Sequence, residues 1–159
     1  MKKLIFTLLC AVFMGITVNA QSVTAAQVPS AIKKAMMMKY PKASGVQWEK
    51  QASNYEAQFM LGNNWTTANF DAAGVWLQTS SFMDPEAVPA NISAAAQKDV
   101  PGGNIISATM VEKNKAGKTY LVQYATETDA YNLVYSADAK LISKEKEVYE
   151  TTDDEASDY

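Results

Sequence analysis

The spacing of apolar positions in this chain changes from one segment to the next. Residues 28–41 read VPSAIKKAMMMKYP, and sixty residues later positions 88–101 read VPANISAAAQKDVP. Ile32, Ala35, Met36 and Tyr40 recur at i, i+3, i+4 and i+8, and Ile92, Ala95, Ala96 and Val100 repeat that spacing. Such a stripe lines one side of an α-helix. Pro29 and Pro89 suit a helix's first turn, where a missing N–H costs nothing, and Pro41 and Pro101 end it. Two helices of about three turns each are expected.

After each helix the period falls to two. Tyr55, Ala57 and Phe59 alternate with Glu56, Gln58 and Met60, and Tyr120, Val122 and Tyr124 alternate with Leu121, Gln123 and Ala125. This fits strands with one buried face. Thr66, Ala68 and Phe70 match Tyr131, Leu133 and Tyr135 at an offset of sixty-five, so the second segment has gained about five residues, placed in the loop Asn114 to Lys118. FDAAGVWL, Phe70 to Leu77, matches YSADAKLI, Tyr135 to Ile142. Asp71 and Gly74 predict a tight hairpin, with Ala139 in the glycine's place in the second copy and a turn that can differ there.

With strands starting near Val46 and Ile106, the pattern predicts an α+β chain: a helix then four antiparallel strands, twice over, at 28–84 and 88–148. A four-stranded sheet with one helix buries one side only, so the two copies are expected to join edges or pack helix on helix around a continuous core. The short linker FMDPEA, Phe82 to Ala87, argues for tight docking. Val46 and Trp48 are assigned together to the buried side.

The ends carry different signals. MKKLIFTLLCAVFMGITVNA has a basic start, an apolar run from Leu4 to Ile16, and small residues Val18 and Ala20 flanking Asn19. It reads as a secretory signal cleaved near Ala20, too short in its apolar run to stay as a membrane anchor. A lipid anchor at Cys10 fits poorly, because Leu8 and Leu9 precede it where a small residue is needed. The expected destination is the periplasm, or the medium, as a single domain over 21–150. The tail TTDDEASDY, Thr151 to Tyr159, is acidic and aperiodic, as solvating disordered tails are.

Composition then excludes several classes. Removing Lys2 and Lys3 from the 14 basic residues leaves 12 against 17 acidic ones, a net charge of −5, with no arginine. Nucleic acid and anionic lipid are therefore not expected partners. Cleavage also removes Cys10, the only cysteine, so burial alone must hold the domain. There is no histidine, which takes away the commonest general base and metal ligand. No enzyme, cofactor or metal is expected. Met36, Met37 and Met38 would suit soft Cu(I), but successive helix positions point about 100° apart and cannot converge on one ion. Glu49 and Glu56, on neighbouring strands, and Glu127 and Asp129, in one loop, lack the apolar setting that separates two carboxyl pKa values. The triplets at Asn64 and Asn91 are chance glycosylation matches.

The order helix–β–β–β–β, the Val-Pro that opens each helix, the proline that closes it, the Tyr-x-Ala-x-Phe strand and the FDAAGVWL hairpin resemble the PepSY-like family. That family is also described as beta-lactamase-inhibitor-like and is common in exported proteins of Bacteroides relatives. The resemblance runs from Val28 to about Val148. It implies an inhibitor-like protein that meets a partner through the exposed sheet face. Inhibitors of this architecture carry disulfides, which the cleaved chain cannot form. PepSY domains that restrain peptidases give a second precedent.

If Tyr55, Ala57 and Phe59 face the helix, then Glu56, Gln58 and Met60 face away. Trp65, Thr67 and Asn69 on the next strand, and Trp76, Gln78 and Ser80 on the one after, would join them if the hairpin register holds. Trp65, Trp76, Met60, Gln58 and Glu56 are the candidate binding residues for a protein or peptide, since tryptophan and methionine are enriched at interfaces. The competing expectation is that the second copy covers this face. A further alternative is a small-ligand or peptide carrier, or envelope-stress accessory, that binds in the seam between the copies.

Overall fold

The structure, a computed structural model, describes residues 21–147. The leading segment 1–20 and the acidic tail 151–159 lie outside the described residues, so neither expectation is addressed by the fold.

Helix α1 spans Ser30–Lys39 and α2 spans Ala90–Asp99. Pro29 and Pro89 cap them, each carbonyl accepting from the amides three and four residues on. Ile32 and Met36 of α1, and Ile92 and Ala96 of α2, are buried, as the stripes require. Met37 and Met38 are exposed to solvent, whereas Met36 is buried.

One antiparallel sheet of nine strands runs in chain order: β1 Gln21–Val23, β2 Ala43–Gln51, β3 Asn54–Leu61, β4 Asn64–Phe70, β5 Trp76–Met83, β6 Asn104–Lys113, β7 Gly117–Ala125, β8 Ala130–Ser136 and β9 Leu141–Lys146. Four strands follow α1 and four follow α2. The three-residue β1, which the periodicity does not reveal, adds an edge by pairing Gln21, Ser22 and Val23 with Lys50, Glu49 and Trp48. β5 runs on to Met83, so Phe82 is a strand residue and not linker, and the connection shrinks to a 3-10 turn over Pro85–Ala87.

The expected continuous interior is not what the chain builds. One core gathers Ile32, Met36, Tyr40, Trp48, Tyr55, Phe59 and Phe70 under α1. A second gathers Ile92, Ala96, Val122, Tyr124, Leu133 and Tyr135 under α2. The halves meet by the β5–β6 edge pairing. The physical reason lies on β5, whose buried residues are polar: Thr79 and Ser81 stand there, Ser81 hydrogen-bonding Thr66 on β4 at 2.9 Å. Thr79 bonds the Tyr40 hydroxyl and accepts from the Trp76 indole N–H at 2.8 Å. These satisfied polar groups separate two apolar pools, so the sheet itself, by its backbone ladder, carries the continuity.

Local twists come from bulges at matching places. The β2–β3 register slips between Ser44 and Gln47, and the β6–β7 register between Ile105 and Ser107. An inserted residue breaks the alternation, so Val46 is exposed while Trp48 is buried, against the expectation that the two share a side. Hairpin turns also agree. Asp71 Oδ1 accepts from the amides of Ala73 and Val75 at 2.9 Å, and Gly74 takes φ +86°. Ala139 adopts φ +61° in the second turn, with its amide donating to Ser136 as Gly74's donates to Asp71. The alanine thus accepts a left-handed backbone and the turn keeps its shape.

Candidate functional site

Both helices lie on one face of the sheet, and the other face is open. Three rows of side chains cross it, each perpendicular to the strands. The first row is mostly apolar, with Ser44 and Ser143 at its ends and Thr109 between Phe82 and Leu121. Met60 of β3 faces Ser44 on one side and Trp65 of β4 on the other. Phe82 of β5 continues the line to Thr109, Leu121, Val134 and Ser143 on β6 to β9. Trp65 and Phe82 help line a shallow depression of about 340 Å3, open to solvent, together with Asn63, Pro85, Ile106 and Ser107. Trp65 is 38% exposed, Leu121 39% and Phe82 50%. Exposed apolar side chains of this size on one sheet face are an arrangement also found at contact surfaces.

The second row is mostly neutral and polar: Gln47, Gln58, Thr67, Ser80, Val111, Thr119 and Ser136 pair in unbroken succession from β2 to β8. The third carries charge at its two ends. Glu49 faces Glu56, which faces Asn69, then Gln78, then Lys113. Carboxylates in direct opposition repel, and Glu56 is held by two amides, from Gln51 Nε2 at 3.3 Å and Gln58 Nε2 at 3.0 Å. The strand spacing of ~4.8 Å makes the apolar row roughly 34 Å long from β2 to β9.

Of the sequence-derived site residues, Glu56, Gln58, Met60 and Trp65 are brought together on this face. Trp76 is not. The β4–β5 register slips between Asn69 and Phe70, so that Gln78 faces Asn69 but Trp76 faces Phe70. Leu77 is the inserted residue, and the bulge turns Trp76 to the helix side. There it packs against the α1 core with the Lys39 ammonium 3.7 Å above its ring. Burial of the neighbouring Tyr40 hydroxyl pushes its pKa up, and the charge of Glu112 adds to the rise, while the bonds to Thr79 and Trp76 partly offset it. This helix-side cluster is a structural polar seam.

Sequence reasoning missed Phe82, because FMDPEA reads as linker. The signal was present: Phe82 continues the alternation Gln78, Ser80, Phe82. Leu121 fell on the outward side of its strand in the same periodicity and was not singled out. Among the described residues no group of three or more His, Cys, Asp or Glu is placed to hold a metal ion. None of the described helices is long and apolar enough to cross a membrane.

With the geometry in place, comparison with known proteins is informative. The family model described as "Putative beta-lactamase-inhibitor-like, PepSY-like" matches residues 14–60 and 53–143. A search of curated proteins finds no match. Among solved structures, a BLIP-like protein from Bacteroides fragilis superposes with a TM-score of 0.65 at 19% identity, covering 82% of this chain and 92% of the other. A DUF2874 family protein from Bacteroides uniformis gives 0.63 at 22% identity, covering 74% and 88%. A protein from Bacteroides eggerthii described as "putative periplasmic" gives 0.61 at 17% identity, covering 75% and 88%. At these identities the likeness speaks for the fold. The two family matches together run through both cores and all but the two ends of the chain, and this protein belongs to the beta-lactamase-inhibitor-like, PepSY-like family.

Proposed function

We propose that this is an exported, non-enzymatic binding protein that docks a protein or peptide on the open face of its sheet, in the manner of an inhibitor. The observation that carries this reading is the apolar row through Met60, Trp65, Phe82 and Leu121. Trp65 and Phe82 are the anchors, and Gln58 and Glu56 supply polar contacts beside them. Trp76 has no part in it. The two helix-then-four-strand units are a tandem repeat whose edge-to-edge joining makes one face wide enough for a macromolecule. A face about 34 Å long and three rows deep is of the order of the ~800 Å2 per partner found in stable complexes. The BLIP-like description of the Bacteroides fragilis neighbour supports an inhibitor-like role, and the periplasmic description of the Bacteroides eggerthii neighbour supports export. The absence of histidine and the polar, half-exposed setting of Glu49 and Glu56 support a role without covalent chemistry.

The test is recovery of partners from periplasmic extract by the parent, by Trp65→Ala with Phe82→Ala, and by Met37→Ala on the outer face of α1. Anchors of this kind carry about 2 kcal/mol or more each, close to 30-fold in affinity. Loss of recovery confined to the Trp65/Phe82 variant is expected; equal recovery by all three would contradict the reading.

A second reading is favoured by the depression at Trp65 and Phe82, which straddles the β5–β6 seam. Its volume, about 340 Å3, is at the small end of ligand pockets, and it is open to solvent on one side. A carrier binding there would retain a small apolar or peptidic molecule through purification, and native mass spectrometry of the chain taken from its source reads this directly.

A further inference from the structure

We propose that the outer edge of β2 is a strand-accepting site for β9 of a second copy of this chain, and that β1 is the stopper that fills it. The inference is independent of what the open face binds.

Strand β1 copies the end of β5. Gln21, Ser22 and Val23 pair with Lys50, Glu49 and Trp48. Sixty residues on, Ser81, Phe82 and Met83 pair with Met110, Thr109 and Ala108, so all three pairs coincide at that offset. Val23 packs against the first core as Met83 packs against the second. The turn that follows is also shared: the Gln27 amide donates to the Thr24 carbonyl and the Ala87 amide to the Asp84 carbonyl, both at 2.9 Å. β2 therefore presents to β1 the edge that β6 presents to β5, which is the pairing that joins the two halves.

β9 carries the other side of that joint. It follows the same hairpin as β5, with the Ala139 amide bonded to Ser136 as that of Gly74 is to Asp71. The register slips at the same place, between Asn69 and Phe70 and between Val134 and Tyr135. At an offset of sixty-five, Leu141–Lys146 stands where β5 has Trp76–Ser81. β9 is last in the sheet order, so among the described residues no strand covers its outer edge. Laid on β2 of another copy, it would repeat the β5–β6 pairing. Two different edges would then meet head to tail, a contact that does not close on itself and grows into chains.

Two features oppose this. β1 occupies the β2 edge. In addition, the β5–β6 register would set Lys146 against Lys50 of the next copy and Glu147 against its Glu49, where β5 brings Ser81 to Met110 and Phe82 to Thr109. Like charges directly opposed across strands repel, and charged edges resist added strands. Lys146 is held by Asp129 at 2.7 Å, and Glu147 accepts from Asn132 at 3.1 Å.

The test compares four exported chains by light-scattering mass across protein concentration, with circular dichroism as the check on folding. They are the parent; Val23→Asp, which sets a charge against the core and releases β1; Lys146→Ser with Glu147→Phe, which gives β9 the residues of β5; and the combination. Ser22→Pro is the second means of releasing β1 if Val23→Asp unfolds. The parent and both partial variants are expected to stay monomeric, and the combination to at least double its mass as concentration rises. Gln51 and Glu145 occupy the places of Val111 and Ser80, which pair across the joint, and they lie on strands far apart in one copy. Gln51→Cys with Glu145→Cys in a Cys10→Ser chain should therefore give a disulfide between copies of the combined variant. A combined variant that stays monomeric with the parent's circular dichroism overturns the proposal. Growth of the Lys146→Ser, Glu147→Phe variant with β1 in place overturns the stopper, and growth of Val23→Asp alone overturns the part given to the charges.

Discussion

Trp76 faces Phe70 across the β4–β5 pair, although a strict alternation through Gln78 and Ser80 would turn it to the opposite side. One inserted residue, Leu77, therefore decides that the two tryptophans of the first hairpin serve different ends. Trp65 is on the open face and Trp76 closes the α1 core under Lys39.

Their substitution should separate cleanly. Trp76→Ala removes a packed ring and leaves a cavity, at a cost of about 2–4 kcal/mol in denaturant unfolding. Trp65→Ala, on an exposed surface, should cost less than about 1 kcal/mol. Iodide quenching gives the same division: Trp65→Phe removes most of the quenchable emission, whereas Trp48→Phe, at a buried site, leaves it.

Two cores imply local responses. Ile32→Ala and Ile92→Ala each empty a fully buried site and should cost roughly 2–5 kcal/mol. Native-state hydrogen exchange should then rise mainly in β2–β5 for the first and in β6–β9 for the second. An equal rise across all nine strands in either variant would indicate one cooperative interior.

Alkaline pH offers a third measurement. Burial raises the pKa of Tyr135, Tyr124 and Tyr40; Tyr135 is raised further by its hydrogen bond to Asp99, at 3.0 Å, and by that carboxylate's charge. In the unfolded chain tyrosine titrates near pH ~10. The folded state therefore keeps protons that the unfolded state has lost, and stability is fully present below about pH 10 and falls as pH rises through the shifted values. Tyr135→Phe should flatten that fall while lowering stability at neutral pH.

Backbone strain gives a fourth. Ala52 sits exposed in the β2–β3 turn at φ +53°, a conformation glycine adopts freely, so Ala52→Gly should leave stability unchanged or raise it by up to about 1 kcal/mol. The opposite change is blocked at Gly103, where a Cβ would stand 2.4 Å from the Ala125 carbonyl oxygen and 2.5 Å from the Tyr124 ring. Gly103→Ala should destabilise by more than about 2 kcal/mol, and would also strain the Tyr124 hydroxyl bond to the Gly103 carbonyl.

Helices and central strands were legible because their periods are enforced by burial: Ile32 and Ile92 mark the helices, Phe59 and Leu133 the strands. What escaped reading depended on single insertions. The bulges at Val46 and Leu77 each reverse a face without leaving a mark in composition. Phe82 was hidden by the Asp-Pro that follows it, and β1 by its three-residue length. The shared interior was an inference from economy. Thr79 and Ser81, small polar residues in a strand, were the residues that could have warned against it, since a continuous apolar core would not place them at its centre.

The central claim is that Trp65 and Phe82 form the contact surface, and position-specific photocrosslinking tests it most directly. Cys10 is the one cysteine of the sequence, so on a Cys10→Ser background Trp65→Cys, Phe82→Cys and Met37→Cys each give one thiol for a benzophenone label. Irradiation in periplasmic extract should give the same discrete adduct from positions 65 and 82 and none from position 37. Adducts from position 37 alone, or the same adducts from all three, would contradict the account.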